Sequence, residues 1–154
     1  MRMVLPGIAF TLFLVGCATP TQMSLDEEVK RLCAIDGGIR VYETVKLPSD
    51  RFSATGLIDF YRPTAGEGAL GSAYLFRSSR EWISKTATET SGTKLSRVHI
   101  SIIRRADSKM LSEMIVYQRA GGDVHGPWFP SSFSCPEISG GEHSLLRSTF
   151  ARQD

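Results

Sequence analysis

Residues 95–119 decide what this chain can become. Val98, Ile100 and Ile102 alternate with Arg97, His99 and Ser101, and a second alternating run extends from Met110 to Arg119. Period-two alternation marks a half-buried strand. The connection Ala106-Asp107-Ser108-Lys109 between the runs makes a hairpin. A hairpin is marginal alone in water and needs further strands or a helix to cover its apolar face. The expected register pairs residues whose numbers sum to 215: Val98 opposite Tyr117, Ile100 opposite Ile115, Ile102 opposite Glu113. Val98, Ile100 and Ile102 would then share a face with Leu111, Ile115 and Tyr117. The other face would mix Arg97, His99, Ser101 and Ile103 with Ser112, Met114 and Val116. This register sends Glu113 inward, which requires a frayed strand end or an arginine partner.

The helix to cover such a sheet is predicted at Ser24–Asp36. Ser24-x-x-Glu27 reads as a capping box, and Leu25, Val29, Leu32 and Cys33 form one apolar stripe. Gly37 and Gly38 stop it. Ile39 to Leu47 alternates and reads as one strand ended by Pro48. Leu57–Tyr61, Ala73–Phe76 and Trp82–Thr88 read as strands, with a break at Ser78-Ser79-Arg80 and a turn at Ser91-Gly92. Gly121-Gly122 opens an irregular tail, because the prolines of His125-Gly126-Pro127-Trp128-Phe129-Pro130 interrupt any ladder. Leu145–Phe150 fits a helical face through Leu145, Leu146, Thr149 and Phe150. It fits a strand through Leu146, Ser148 and Phe150, and strand is favoured. The expected fold is α+β: an N-terminal helix packed on an antiparallel sheet of about five strands.

Before this domain, Met3 to Leu14 is apolar except for Thr11, after a single charge at Arg2. The run is too short for a bilayer span of roughly 20 residues and suits a signal-peptide core. It closes on Leu14-Val15-Gly16-Cys17. These residues resemble the lipobox of bacterial prolipoproteins. The resemblance implies lipid on the Cys17 thiol and cleavage between Gly16 and Cys17. An ordinary secretory signal cleaved near Ala18 is the alternative. Two or three acyl chains hold a protein on a bilayer where one holds only marginally. By the family's sorting pattern, Ala18 rather than Asp after the cysteine implies the outer membrane, periplasmic side, over the inner membrane. The expected organisation is signal peptide 1–16, lipidated Cys17 with a tether to residue 23, and one domain over 24–154. The segment from Leu32-Cys33-Ala34-Ile35-Asp36-Gly37-Gly38 through Ile39-Arg40-Val41-Tyr42-Glu43-Thr44-Val45 is similar to small uncharacterised proteobacterial lipoproteins, and this implies localisation alone.

Removal of residues 1–16 would leave 138 residues, enough for one core. It takes the formal charge from +2 to +1, which disfavours nucleic acid as a partner. Three cysteines are present. With Cys17 lipidated, Cys33 and Cys135 remain, and an even pair in an oxidising compartment predicts a disulfide. The rival readings are buried thiols or a thiol nucleophile. The closed loop, about 103 residues, would contribute about 4.7 kcal/mol in a chain-entropy account, and the link would pin the tail to the helix.

Catalytic signatures are sparse. Gly66-x-Gly68-x-x-Gly71 matches a dinucleotide fingerprint in letters, but a strand-like run follows it where the fingerprint needs a helix. No Gly-x-Ser-x-Gly elbow or Walker loop occurs. His125 and His143, with Asp123 and Glu142, share the tail but match no metal-ligand spacing. Neither a metal nor a cofactor is expected. His99 is expected to be partly exposed and structural. Asp36, Glu43, Asp59 and Glu113 could pair in space but are read as solvated or capping, and Tyr42, Tyr61, Tyr74 and Tyr117 as sheet packing rather than a binding platform. Trp128 and Phe129 are the candidate partner-binding residues; the bland alternative is that they cap the core. The chain therefore reads as a membrane-anchored envelope lipoprotein, a structural or protein-interaction module held by lipid through Cys17 and facing the periplasm. The alternatives are a small periplasmic enzyme or metal-binding protein using the tail histidines, and a prophage- or plasmid-borne exclusion lipoprotein.

Overall fold

A computed structural model of the protein describes residues 20–84, 93–121 and 132–153. The signal sequence with Cys17, the expected turn at Ser91-Gly92, residues 85–88 of the Trp82–Thr88 strand, and Asp123, His125, Trp128 and Phe129 lie outside the described residues.

Helix α1 spans Pro20–Asp36 and so begins before Ser24. Proline fits a first helical turn, where its missing N–H would be unpaired anyway; Ser24 and Glu27 consequently lie inside the helix. Lys30 and Arg31 pair with Glu27 and Glu28 on its outer side, while Val29, Leu32 and Cys33 turn inward. Gly37 donates to the Cys33 carbonyl at 2.8 Å and ends it. A Cβ at Gly37 would stand 2.7 Å from that oxygen and 2.9 Å from the Cys33 sulfur, so only glycine fits. Gly38 follows at φ +121°, which glycine alone adopts readily.

The stretch Ile39–Leu47 is two strands rather than one. β1, Gly38–Val41, pairs antiparallel with β5, Lys109–Ala120. β2, Val45–Leu47, pairs in parallel with β7, Phe150–Arg152, in a separate two-stranded sheet. At the corner, the amides of Tyr42 and Glu43 both donate to the Leu111 carbonyl, and the Glu43 side chain is held by Arg104 and Lys109. Glu43 thus marks where the chain leaves the sheet.

β3, Tyr74–Ser84, runs unbroken through Ser78-Ser79-Arg80, contrary to expectation. Its outer edge carries no strand among the described residues, and exposed serines are tolerated there. β4, Lys94–Arg104, lies between β3 and β5. β5 carries β1 along Ser112–Ile115 and β6, Ser132–Cys135, along Tyr117–Ala120, completing five strands. Leu57–Tyr61 is not a strand; one bridge, Phe52–Ile58, stands in its place. Ile58, Phe60 and Tyr61 still reach the core from a turn.

The hairpin exists, with a register one residue from the expected one. Val98 faces Val116, Ile100 faces Met114 and Ile102 faces Ser112; then Ile103 faces Met110. Leu111 is the extra residue of a β-bulge, and the turn occupies Arg105–Ser108, one position earlier than expected. Simple alternation carries no sign of a bulge. The slip exchanges the faces of β5. Met114 and Val116 join Ile100 and Ile102 on one side, and Ile115 and Tyr117 join Leu95 on the other. The bulge buries Leu111 with the first group.

The tail is more regular than expected. Besides β6, it forms α2, Glu142–Thr149, before β7. The segment read as a closing strand is thus mostly helix: Leu145, Leu146 and Thr149 are buried on one face, and Thr149 shares a hydrogen bond with Ser112. The sheet is covered on both sides. One face packs against α1 through Val29, Leu95, Ile115 and Tyr117. The other holds the larger core, closed by α2 and by the segment carrying Ile58, Ala69 and Leu70. Cys33 and Cys135 form a disulfide with their Cα atoms 5.7 Å apart, joining α1 to β6.

Candidate functional site

Three polar or hollow regions could support chemistry, and the sheet places each. The first is on the α1 face. Residues opposite one another in an antiparallel pair point to the same side, so Arg40, Glu113 and Ser101 share it. Glu113 is the hub. His99 Nε2 lies 2.9 Å from one carboxylate oxygen, and the Tyr42 hydroxyl donates to the other at 2.5 Å. Arg40 stands 3.6 Å away. The Tyr42 hydrogen bond is the main reason the Glu113 carboxyl lies below its usual range; His99 and Arg40 add to it, against burial. The inward glutamate is thereby satisfied by Tyr42, His99 and an arginine. A carboxylate that orients an imidazole is half of a nucleophile-activating trio. Among the described residues no hydroxyl or thiol hydrogen-bonds to the His99 ring, and the His99–Glu113 pair joins β4 to β5 across the sheet.

The second region ties α1 to the sheet. Arg97 donates to Asp36 at 3.1 Å and to the Tyr117 hydroxyl at 3.2 Å, and that hydroxyl donates to Asp36 at 2.7 Å. Burial acts to raise the Asp36 carboxyl, but Tyr117 and Arg97 outweigh it and hold the group below its ordinary value. Asp59 pairs with Arg51 and Glu43 with Arg104 and Lys109. The four carboxylates singled out in the sequence are therefore apart, each with its own cation. Tyr74 and Tyr61 pack on the rings of Phe150 and Phe76, whereas Tyr42 is mostly exposed.

The third region lies on the opposite face. One hollow of about 360 Å³ has an aliphatic floor of Val98, Ile100, Met114 and Val116, with Arg80, Gln118 and Glu137 at its rim. A second, about 380 Å³, lies between Phe76 and Arg77 of β3 and the turn at Pro63–Gly68. Glu142 lines both. It accepts a hydrogen bond from Tyr61, and burial first, then Glu142, push that phenol well above its ordinary value. Both volumes are within the range of small-ligand sites. Arg80, Glu137 and Glu142 were not singled out from sequence as members of a groove. No local pattern points to them, because it exists only once the segment between β6 and α2 folds back over the sheet.

His143 packs edge-on against Tyr61. Among the described residues no three His, Cys, Asp or Glu side chains gather as a metal site. The Gly66–Gly71 stretch is a tight turn with Gly66 and Gly71 at positive φ, and β3 follows it. No helix among the described residues is long and apolar enough to cross a membrane. No family model matches this chain, nor does any curated protein or solved structure.

Proposed function

We propose that this chain is a lipid-anchored envelope protein that acts as a structural or protein-interaction module at a membrane surface. The observation that carries the reading is the Cys33–Cys135 disulfide. Such bonds persist in oxidising compartments, and with these two cysteines bonded the third is Cys17, at the end of Leu14-Val15-Gly16-Cys17. The conspicuous acids and His99 are engaged in fold-holding pairs, which favours a module over an enzyme. The outer membrane, periplasmic side, follows from Ala18 after the lipidated cysteine. Because α1 begins at Pro20, only Ala18 and Thr19 separate it from Cys17, a reach of about 10 Å at most. The domain is then held close against its bilayer.

Palmitate labelling tests this directly. Wild type should incorporate label and be processed to begin at Cys17, whereas Cys17→Ser should remain unlabelled precursor. Equal labelling of the variant would overturn the reading.

A further inference from the structure

We infer that the end of the sheet formed by the finish of β3 and the start of β4 docks onto a phospholipid surface carrying anionic headgroups. This inference rests on the lipid-anchor reading and adds an orientation to it.

The helix axis sets the direction. Asp36 at the end of α1 bonds Arg97 and Tyr117, whereas Asp26, ten residues earlier, pairs with Arg119. Travelling back along α1 therefore follows β5 toward its last residues. Pro20 lies six residues, about 9 Å, further in that direction. Lys94 faces Ala120 across β4 and β5, and Trp82 faces Ser96, so these side chains belong to the same end of the sheet. Any acyl group on Cys17 would be at this end as well.

The side chains there suit a bilayer interface. Trp82 is 44% exposed, Ile83 42%, and Met23, in the first turns of α1, 60%. The Trp82 ring has the Lys94 ammonium 5.6 Å and the Arg80 guanidinium 5.7 Å from its centre. Among the described residues Arg80 donates to neutral acceptors, Ser96 and Gln118, at 3.0 Å each. Neither cation has a carboxylate partner among the described residues. Glu81 lies beside Trp82 on the other face, while the nearby helix acids Asp26, Glu27 and Glu28 are paired with Arg119, Lys30 and Arg31. Amphipathic indoles concentrate at headgroup depth, and long cationic side chains reach from apolar surface toward anionic groups. A tryptophan exposed between two cations without carboxylate partners among the described residues, next to Ile83 in the chain and with Met23 at the same end on the α1 side of the sheet, matches that chemistry. An acidic protein partner would match the cations but not the apolar flank.

The test uses the full-length lipidated chain reconstituted in vesicles of phosphatidylethanolamine with phosphatidylglycerol, read by flotation and by tryptophan emission with shallow brominated lipid as quencher. The difference between wild type and Trp82→Phe reports Trp82 alone. The expected result is a blue-shifted, quenched Trp82 signal, weaker on pure phosphatidylcholine. The chain from Ala18 onward, without signal peptide or lipid and with the whole domain from Pro20, should bind the same anionic vesicles through this end alone, and adding Lys94→Gln should weaken that binding about fivefold. Flotation with an unquenched Trp82 would overturn the docking surface and leave the anchor standing. Failure of the wild type to float would overturn the anchor, while titration of the lipid-free chain would still decide the surface. A Trp82 blue shift that depends on protein concentration and not on lipid would identify a second copy as the occupant and overturn the inference.

Discussion

The two faces of the central sheet are covered in different ways. On the α1 side the buried apolar cluster is small: Val29, Leu95, Ile115 and Tyr117, with Leu32 and Phe133 at its margin. That cover is fastened by one disulfide, by the Asp36–Arg97–Tyr117 network and by Asp26–Arg119. On the α2 side the core runs from Ile58 through Ile102 and Leu111 to Leu145 and Phe150, and Phe60 and Tyr74 pack edge-on against Phe150. A fully buried aliphatic side chain contributes roughly 1.5–3 kcal/mol, against about 0.5–1.5 kcal/mol net for a hydrogen bond. The α2 side therefore holds itself by burial. The α1 side, with a thin stripe, depends on covalent and ionic links. Secreted and anchored domains can use such links because their compartment keeps cysteines oxidised.

The largest effect should come from the apolar face. Leu145 is completely buried, and Leu145→Ala is expected to cost about 2–5 kcal/mol in thermal or denaturant unfolding, with the disulfide formed or reduced. Leu95→Ala, in the small cluster, should fall at the low end of that range. Equal costs at both positions would break the contrast between the faces.

Reduction comes next. Losing the Cys33–Cys135 bond should cost about 2–4 kcal/mol, below the chain-entropy ceiling for so long a loop. Hydrogen exchange should then quicken in α1 and β6 before α2. Uniform quickening across the molecule would mean that the disulfide holds both faces rather than one.

What could be read from the sequence was local. The hairpin and the helix over 24–36 rest on side-chain type and spacing, the cysteine pair on cysteine count and compartment, and each is present. The register was missed by one because Leu111 bulges, and period-two alternation is silent about where a ladder slips. The parallel pairing of β2 with β7 joins Val45 to Phe150 across the chain, which no local pattern specifies. Leu145, Leu146 and Thr149 fitted either a helix or a strand; burial of all three against the sheet, with Thr149 bonded to Ser112, decides for helix. The groove at Glu142 was hidden for the same reason, being assembled from four separated segments.

Gly37→Ala probes the junction of helix and disulfide. The added methyl meets the Cys33 carbonyl and sulfur, and an expected cost of about 1–3 kcal/mol should shrink after reduction, when the sulfur can move. An unchanged cost in reduced protein would mean that the carbonyl contact alone sets it.

Acid should act on the α1 side most gently of all. Asp36 and Glu113 have folded-state values below their ordinary ones, so their contribution is complete above the ordinary carboxylate range and is lost as pH falls through the depressed folded values. Glu113→Gln should flatten that part of the stability profile, read as unfolding midpoint against pH. A profile in which the variant loses stability in acid as steeply as wild type would remove Glu113 from the account.

The central claim, an anchored domain of an oxidising compartment, is tested most directly by intact-mass measurement on protein extracted from membranes without reductant, with free thiols alkylated. The account predicts a chain beginning at Cys17, carrying a lipid adduct there, with no alkylation at Cys33 or Cys135. An unprocessed chain without lipid, or one alkylated at both cysteines, would contradict it.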